Sequence, residues 1–230
     1  MTPTRVEIIE LTDGRSVRLT IGEPERAVRG GLVVLHETRG VTDVVRGLVS
    51  GLADEGWLAV APNLYGVLQQ DELPDADVDR ELSRLSGDSV LADTDVAAAW
   101  LAQQGVATDR TGVIGFDLGG TAAMVVASSR AVGAAVSVAG GGILAPLADG
   151  LPALVDVAGG LACPWLGIYG DQDSATPGDA VEKLRDAAAA SEVATDVVRF
   201  ADSDSRFDRD PEAGAEAWHR TLNWFDLHLR

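Results

Sequence analysis

The segment from Ile114 to Gly120, with the sequence IGFDLGG, carries the residue types best placed to do chemistry. A strand pattern ends there and a helix pattern begins, with glycines two positions before and two positions after Asp117. Glycines at this spacing give the clearance that a strained strand–turn–helix elbow needs, so the side chain between them projects above the sheet. The next backbone N–H group, that of Leu118, would then face the same pocket as an oxyanion donor. We therefore predict that Asp117 lies at the centre of a functional site.

The elements that must position Asp117 alternate between apolar strands and amphipathic helices. The dipeptide Asp13-Gly14 between two strand patterns predicts that a hairpin opens the fold. Apolar strands joined by helices favour a doubly wound, mostly parallel α/β sheet that is covered by helices on both faces. The predicted strands are 6–11, 17–21, 31–36, 57–62, 111–115, 134–139, 163–169 and 195–200, and the predicted helices are 44–52, 90–103, 119–129, 180–191 and 212–229.

Two stretches interrupt this alternation, residues 66–89 and residues 140–160. The first is acidic and contains Pro74, and the second is rich in glycine and alanine. Each follows the carboxyl end of a predicted strand, where open α/β sheets bind ligands, so we predict that both stretches form the rim of a pocket. Neither has the composition of a linker between domains. We therefore expect one domain that spans residues 1–230.

The composition argues against several classes of partner. The 18 basic and 36 acidic side chains give a formal net charge of −18, which repels nucleic-acid phosphates and anionic lipid surfaces. No apolar run approaches the roughly 20 residues that span a bilayer. The chain begins without a secretory-signal pattern, and its single cysteine, Cys163, cannot form an internal disulfide, so we expect a cytoplasmic protein. We expect neither nucleic acid nor membrane as a partner, and the sequence does not indicate an oligomeric state.

Six segments of the chain resemble motifs of the dienelactone hydrolase family, and together they extend over most of its length. The resemblance implies an α/β-hydrolase fold with a sheet of about eight strands. The segments are VLHETRG at residues 34–40, GWLAVAPNLY at 56–65, GFDLGG at 115–120, GDQDSATP at 170–177, FADSDSRF at 200–207 and the closing helix at 218–225.

The resemblance implies a catalytic triad in which two of the three residue types have changed. The family cleaves enol lactones with a cysteine thiolate, a histidine that carries the proton and an aspartate that orients the histidine. The matching positions hold Asp117 in place of the cysteine and Ser205 in place of the histidine, while Asp173 retains the acid. Glu37 matches the glutamate that contacts the thiol in the family.

The same resemblance implies the residues that contact a ligand. Arg209 lies where the family has an arginine that grips the carboxylate of the substrate, so a small, anionic ligand is implied. The backbone N–H groups of Leu118 and Thr38 are assigned as the oxyanion donors. Further ligand contacts are expected from residues at the ends of predicted strands or near Ser205 in sequence: Arg39, Arg206, Tyr65 and His36.

The residue types at these positions leave several chemistries open. Attack by Asp117 on a lactone carbonyl is disfavoured, since a carboxylate is a weak nucleophile and the product would be an anhydride. Glu37 and Asp117 instead form a pair of carboxyls above the sheet, of which one should hold a proton. Such a pair can act as acid and base on an epoxide, a lactone or a cyclisation substrate. The alternative is a hydrolase scaffold that has lost its reaction and binds a small molecule or a partner protein.

The carboxylates could also have structural or metal-binding roles. Glu37 could pair with Arg39, and Asp117 could cap the helix that begins at Leu118. A Mg²⁺ or Ca²⁺ ion between Glu37, Asp117 and Asp173 would have suitable oxygen ligands. The implied fold, however, holds the elbow and the acid a histidine's width apart, which is too far for one ion to bridge well. We expect no metal and no cofactor.

Overall fold

An eight-stranded sheet forms the centre of the computed structural model, which describes residues 1–66, 71–204 and 210–229. Its strands are β1 Thr4–Glu10, β2 Ser16–Gly22, β3 Gly31–Leu35, β4 Leu58–Pro62, β5 Thr111–Phe116, β6 Ala134–Val138, β7 Trp165–Gly170 and β8 Thr195–Phe200. The spatial order is β1-β2-β4-β3-β5-β6-β7-β8. Strand β2 runs antiparallel to both of its neighbours, β1 and β4, and strands β3 to β8 are parallel to one another. The predicted mostly parallel α/β architecture is therefore confirmed.

Helices cover both faces of this sheet. The helices are α1 Asp43–Asp54, α2 Asp75–Leu82, α3 Gly87–Gln103, α4 Leu118–Ser129, α5 Leu154–Ala158, α6 Gly178–Ala188 and α7 Pro211–His228. Strand β3 shows how the layers are built, because successive side chains of a strand point to opposite faces. Leu32 and Val34 pack in the core that includes α1 and α7, while Val33 and Leu35 pack in the core that includes α3, α4 and α6. All four side chains are fully buried, as expected for a parallel strand between two helical layers.

The chain changes direction within the sheet at β3. Strand β3 pairs with β4 on one side and with β5 on the other. The connections that follow β3 and β5 therefore leave towards opposite faces of the sheet. Open α/β sheets bind ligands in the crevice outside the carboxyl ends of strands at such a point. The loops that follow β3 and β5 are therefore expected to hold a functional site.

Both stretches that interrupt the predicted alternation contain a short helix. Helix α2 lies within residues 66–89 and helix α5 within residues 140–160, and neither helix was predicted from the sequence. Helix α3 also begins earlier than predicted, at Gly87. The reason is a capping box in which Ser86 and Ser89 each accept the backbone N–H group of the other, which extends the helix by a turn before its first apolar residue.

In the parts of the chain that the structure describes, no helix has both the length and the apolar composition needed to cross a bilayer.

One buried carboxylate makes a testable contribution to stability. Asp93 on α3 is only 3% exposed, and its ion-pair partner is Arg15, which is 3.4 Å away and half exposed. Burial raises the pKa of Asp93 from its ordinary value of 3.8 to about 6, because the charged form loses water without a full replacement. At a pH between these two pKa values, Asp93 keeps its proton in the folded state and releases it in the unfolded state. Asp93 therefore makes the protein less stable as the pH rises from about 4 to about 6.

We therefore expect Asp93→Asn to raise the free energy of unfolding at pH 7, by on the order of 2 kcal/mol, and to change it little at pH 4. Urea unfolding at several pH values measures this difference. Asp95→Asn is the matched control, since Asp95 lies on the same helix but is exposed and pairs with Arg130. Equal effects of the two substitutions at pH 7 would contradict the prediction.

Candidate active site

The proposed site residues follow the carboxyl ends of neighbouring parallel strands. Glu37 and Thr38 come directly after β3, and Asp117 comes directly after β5, which pairs with β3. Tyr65 follows β4 on the other side of β3, and Asp173 follows β7, two strands from β5. The fold therefore places all five residues at one edge of the sheet, and brings Glu37 and Thr38 closest to Asp117.

Asp117 has the strained backbone of an elbow. Its φ of 53° and ψ of −117° lie in a region that residues with a Cβ atom rarely adopt. The surrounding backbone holds this conformation, since the N–H group of Asp117 donates to the carbonyl of Val138 and its own carbonyl accepts from Gly120 and Thr121. Strain of this kind costs on the order of 1–3 kcal/mol and is retained mainly at functional sites. The predicted elbow is present in the structure.

Two glycines allow this turn to form. A Cβ atom on Gly115 would lie 1.8 Å from the carbonyl oxygen of Gly119, and a Cβ atom on Gly119 would lie 2.0 Å from the carbonyl oxygen of Leu35. Both distances are far below van der Waals contact, so any side chain at these positions would force the backbone apart. The first turn of α4 thus packs directly against the end of β3, and this close approach brings Asp117 next to Thr38.

The Asp117 carboxylate is bound by Thr38. Its Oδ2 atom accepts from the Thr38 hydroxyl at 3.1 Å and from the Thr38 backbone N–H group at 3.3 Å. Asp117 stands at the N-cap position of α4, but its side chain makes no capping hydrogen bond to the helix. Helix capping is therefore not how this carboxylate is used.

Among the described residues, Glu37 also has no basic partner of the kind that a purely structural role would require. Its Oε1 atom accepts from the Thr42 hydroxyl at 2.9 Å. Arg39 instead pairs with Glu72 at 2.7 Å and with Asp75 at 3.3 Å, so the alternative in which Arg39 pairs with Glu37 is not realised. Within the described ranges, Glu37 and Asp117 have no ion pair and do not hydrogen-bond to each other.

Sequence reasoning missed the contribution of Thr42. This residue is the N-cap of α1, and its hydroxyl both accepts from the Val45 N–H group and donates to Glu37. The sequence signal for it was the threonine in front of a helical pattern, which identifies a cap but does not indicate a contact with Glu37.

His36 is a buried structural residue, and its geometry does not support the predicted contact with a ligand. Its side chain is inaccessible to solvent, and both ring nitrogens bind backbone groups. Nε2 accepts from the Leu64 N–H group at 2.9 Å, so Nδ1 carries the proton and donates to the Glu37 carbonyl at 2.7 Å. Burial lowers the pKa of His36 to about 4, and the neutral ring therefore joins the loops after β3 and β4 at physiological pH.

Tyr65 is also tied to the loop after β3. Its hydroxyl donates to the carbonyl of Thr38 at 2.7 Å, and its ring packs against His36 with the ring centroids 5.1 Å apart. Burial, together with the negative charges of Asp117 and Glu81, raises the pKa of the Tyr65 hydroxyl well above its usual value. The hydroxyl thus remains a hydrogen-bond donor to the protein, and the predicted ligand contact of Tyr65 has no support from its geometry.

The remaining site predictions have mixed outcomes. The Asp173 carboxylate accepts from the Ala175 N–H group at 2.9 Å and from the Thr176 hydroxyl at 3.0 Å, both within its own turn. Leu118 is buried at the first position of α4, where its N–H group has no partner within the helix. The predictions for three further residues lie outside the described residues: Ser205, Arg206 and Arg209.

The arginines of the acidic stretch are neutralised by carboxylates. Arg80 and Arg84 both bind the buried carboxylate of Glu81, and Arg80 also pairs with Asp77. Since Arg39 is paired as well, none of these three guanidinium groups is an unpaired site for an anionic ligand. Among the described residues, no group of three His, Cys, Asp or Glu side chains is arranged to hold a metal ion.

Two surface grooves lie away from Asp117. One, of about 510 Å³, is lined by residues such as Thr2, Arg29 and Asp54 at the opposite edge of the sheet. The other, of about 440 Å³, lies between α7 and β8. Neither groove is lined by a residue of the elbow.

The chain is similar to known proteins both in sequence and in fold. The sequence model of the dienelactone hydrolase family matches residues 17–229. A Salmonella typhimurium protein assigned by name as a carboxymethylenebutenolidase is 31% identical over 84% of this chain and 76% of its own length. Its Escherichia coli counterpart is 30% identical over 84% of this chain and 75% of its own length. A Klebsiella pneumoniae crystal structure, assigned by name as a dienelactone hydrolase, has a TM-score of 0.85 and 29% identity, and covers 97% of this chain and 98% of that one.

Proposed function

This chain belongs to the dienelactone hydrolase family, and we propose that it opens a small oxygenated ring compound, a lactone or an epoxide, by proton transfer through Asp117 and Glu37. The observation that carries the proposal is the strained elbow of Asp117, which directs the carboxylate away from the helix and towards the loop that contains Glu37. A residue that served only to cap α4 would not require a φ of 53°.

In the proposed reaction, Asp117 is the base and Glu37 is the acid. The Thr38 donors hold Oδ2 of Asp117 in place, so the Oδ1 atom is available to take a proton from water as the water oxygen bonds to a ring carbon. The ring C–O bond breaks, and the proton of Glu37 goes to the ring oxygen that leaves. The product is the ring-opened hydroxy compound, and solvent returns the proton from Asp117 to Glu37. No bond forms between the protein and the substrate.

Isotope labelling separates this mechanism from covalent attack by Asp117. A single turnover in H₂¹⁸O should place the label in the product and leave the peptide that contains Asp117 unlabelled, because water attacks directly. Covalent attack would leave an ester or anhydride on Asp117, whose hydrolysis transfers ¹⁸O to the carboxylate. Mass spectrometry of the product and of the proteolysed enzyme measures both. Label in the Asp117 peptide would overturn the proposed mechanism.

The substitutions Asp117→Asn and Glu37→Gln are each expected to lower kcat by about 10²–10⁴-fold, the usual contribution of a general acid or base. Generic aryl esters should be turned over near the background rate by all variants. Asp43→Asn is a suitable control, since Asp43 is a 96% exposed carboxylate in the first turn of α1 and should leave kcat unchanged. The proposal fails if Asp117→Asn retains wild-type turnover of a ring substrate.

A second candidate function is ligand binding without turnover. This candidate is favoured by the hydrogen bond that the Thr38 N–H group donates to Asp117. A hydrolase would need that donor to stabilise the oxyanion of its substrate. Mass spectrometry of a small molecule that copurifies with the protein, followed by incubation of that molecule with the enzyme, distinguishes the two candidates. An unchanged molecule after incubation would favour binding, and a ring-opened product would favour catalysis.

A further inference from the structure

Thr38 donates its two hydrogen bonds to Asp117 from a position at which many hydrolases stabilise an oxyanion. In hydrolases with a strand–turn–helix elbow, an N–H group from the loop after the third strand is one of the two donors that stabilise the oxyanion. Here that donor and the neighbouring hydroxyl both contact Oδ2 of Asp117, at 3.3 Å and 3.1 Å. A carboxylate oxygen of the protein itself therefore lies where the oxygen of a bound molecule would be expected.

The direction of these donors is set by residues other than Asp117. The carbonyl of Glu37, which belongs to the same peptide unit as the Thr38 N–H group, accepts from His36 at 2.7 Å. The carbonyl of Thr38, which belongs to the next peptide unit, accepts from the Tyr65 hydroxyl at 2.7 Å. Both carbonyls that flank Thr38 are thus anchored by a buried ring. The donors should keep their orientation when the carboxylate is removed, which is the condition for a preorganised site.

We propose that Thr38 forms a binding site for a small carboxylate, and that Asp117 fills this site from within the chain. In the wild-type protein an external carboxylate or a developing oxyanion must displace Asp117 from the Thr38 donors. The negative charge of Asp117 also repels any such anion. Removal of the Asp117 side chain leaves a space that matches acetate, since the missing group is a methylene carboxylate. The site then binds small monocarboxylates. This inference concerns binding alone and holds whether or not the proposed catalysis occurs.

The substitution Asp117→Gly tests the proposal without endangering the fold. Glycine adopts positive φ at little cost, so it relieves the strain at this position, and the backbone hydrogen bonds of residue 117 are retained. Asp117→Asn is the matched comparison, because it removes the charge but keeps an oxygen that can accept from Thr38. The two variants therefore separate the effect of charge from the effect of occupancy.

Acetate binding is measured by calorimetry or by NMR titration at pH 7, in a buffer that contains no carboxylate. We expect acetate to bind Asp117→Gly at least about 10-fold more tightly than it binds Asp117→Asn or the wild-type protein, since a hydrogen bond to a charged group contributes about 1.5–3 kcal/mol. Methylammonium, a cation of similar size, should show no such gain. Equal acetate affinity of Asp117→Gly and Asp117→Asn would overturn the proposal.

A second substitution identifies the donors. In the Asp117→Gly background, Thr38→Val removes one of the two donors at nearly constant volume and should weaken acetate binding by about 5-fold, the loss of one net hydrogen bond. Thr94→Val is the control, because the Thr94 hydroxyl is buried, has no hydrogen-bond partner among the described residues and lies on α3. If Thr38→Val and Thr94→Val have the same effect, acetate binds elsewhere and the proposal is wrong.

Discussion

A variant that carries both Asp117→Cys and Ser205→His is expected to hydrolyse small enol lactones and activated esters at least about 100-fold faster than the wild-type protein. Cysteine at position 117 provides a thiolate nucleophile, and it also frees the Thr38 donors, which Asp117 occupies in the wild-type protein. The family resemblance places residue 205 where a histidine carries the proton, and Asp173 lies after β7, in the position of the acid. Glu37 immediately precedes Thr38, whose N–H and hydroxyl groups contact Asp117.

The single variants are the controls for this gain of activity. Asp117→Cys alone lacks the proton carrier and Ser205→His alone lacks the nucleophile, so each should remain near the background rate, because members of a triad act as a unit. Release of the product from each substrate is followed by absorbance, and circular dichroism verifies that the variants are folded. A folded double variant that is inactive on every lactone and ester tested would contradict the prediction and the role that the family resemblance implies for position 205.

The substitution Gly119→Ala is expected to lower the free energy of unfolding by about 3 kcal/mol or more, the upper range for overpacking a buried site. The new methyl group would lie 2.0 Å from the carbonyl oxygen of Leu35, and this neighbour is backbone within the central sheet, which cannot move at low cost. Relief of the clash requires α4 to shift away from β3. Such a shift would separate Asp117 from Thr38 and abolish any function that depends on their contact.

Gly47→Ala is the matched control for Gly119→Ala. Gly47 lies in the interior of α1, and a Cβ atom there would meet no other atom within 4 Å. Alanine at this position should raise the free energy of unfolding by about 0.5–1 kcal/mol, because it favours the helix more than glycine does. Urea unfolding of both variants measures the contrast. A Gly119→Ala variant as stable as the wild-type protein would mean that α4 does not pack against β3 as closely as described.

The positions of strands and long helices could be predicted from the sequence because they depend on local patterns. The strand predicted at 31–36 and the helix predicted at 90–103 correspond to β3 and α3, since burial on two faces or on one stripe leaves a signal in neighbouring residues. Helix α2 was missed because its sequence, DADVDREL, has too few apolar residues to form a helical pattern. Its main sequence signal is Pro74, which immediately precedes the first helical residue. Helix α5 was missed because it has five residues, fewer than a periodic pattern requires.

The residues of the site were predicted more accurately than their contacts. The IGFDLGG motif placed Asp117 on an elbow, because a pair of glycines at this spacing marks a turn under steric constraint. The sequence did not show that His36 is buried with both nitrogens bound to backbone, or that Tyr65 donates to Thr38. Both side chains stand at strand ends, where ligand contacts and structural contacts have the same sequence pattern.

The sequence by itself determined the fold and the family, since each of these depends on residue identity and local spacing. Only the tertiary structure decided what the Asp117 carboxylate contacts. Its partner, Thr38, is 79 positions away and meets it because β3 pairs with β5 and because Gly119 lets α4 approach β3. A contact between distant residues depends on strand order and on close packing, and neither leaves a periodic signal in the chain.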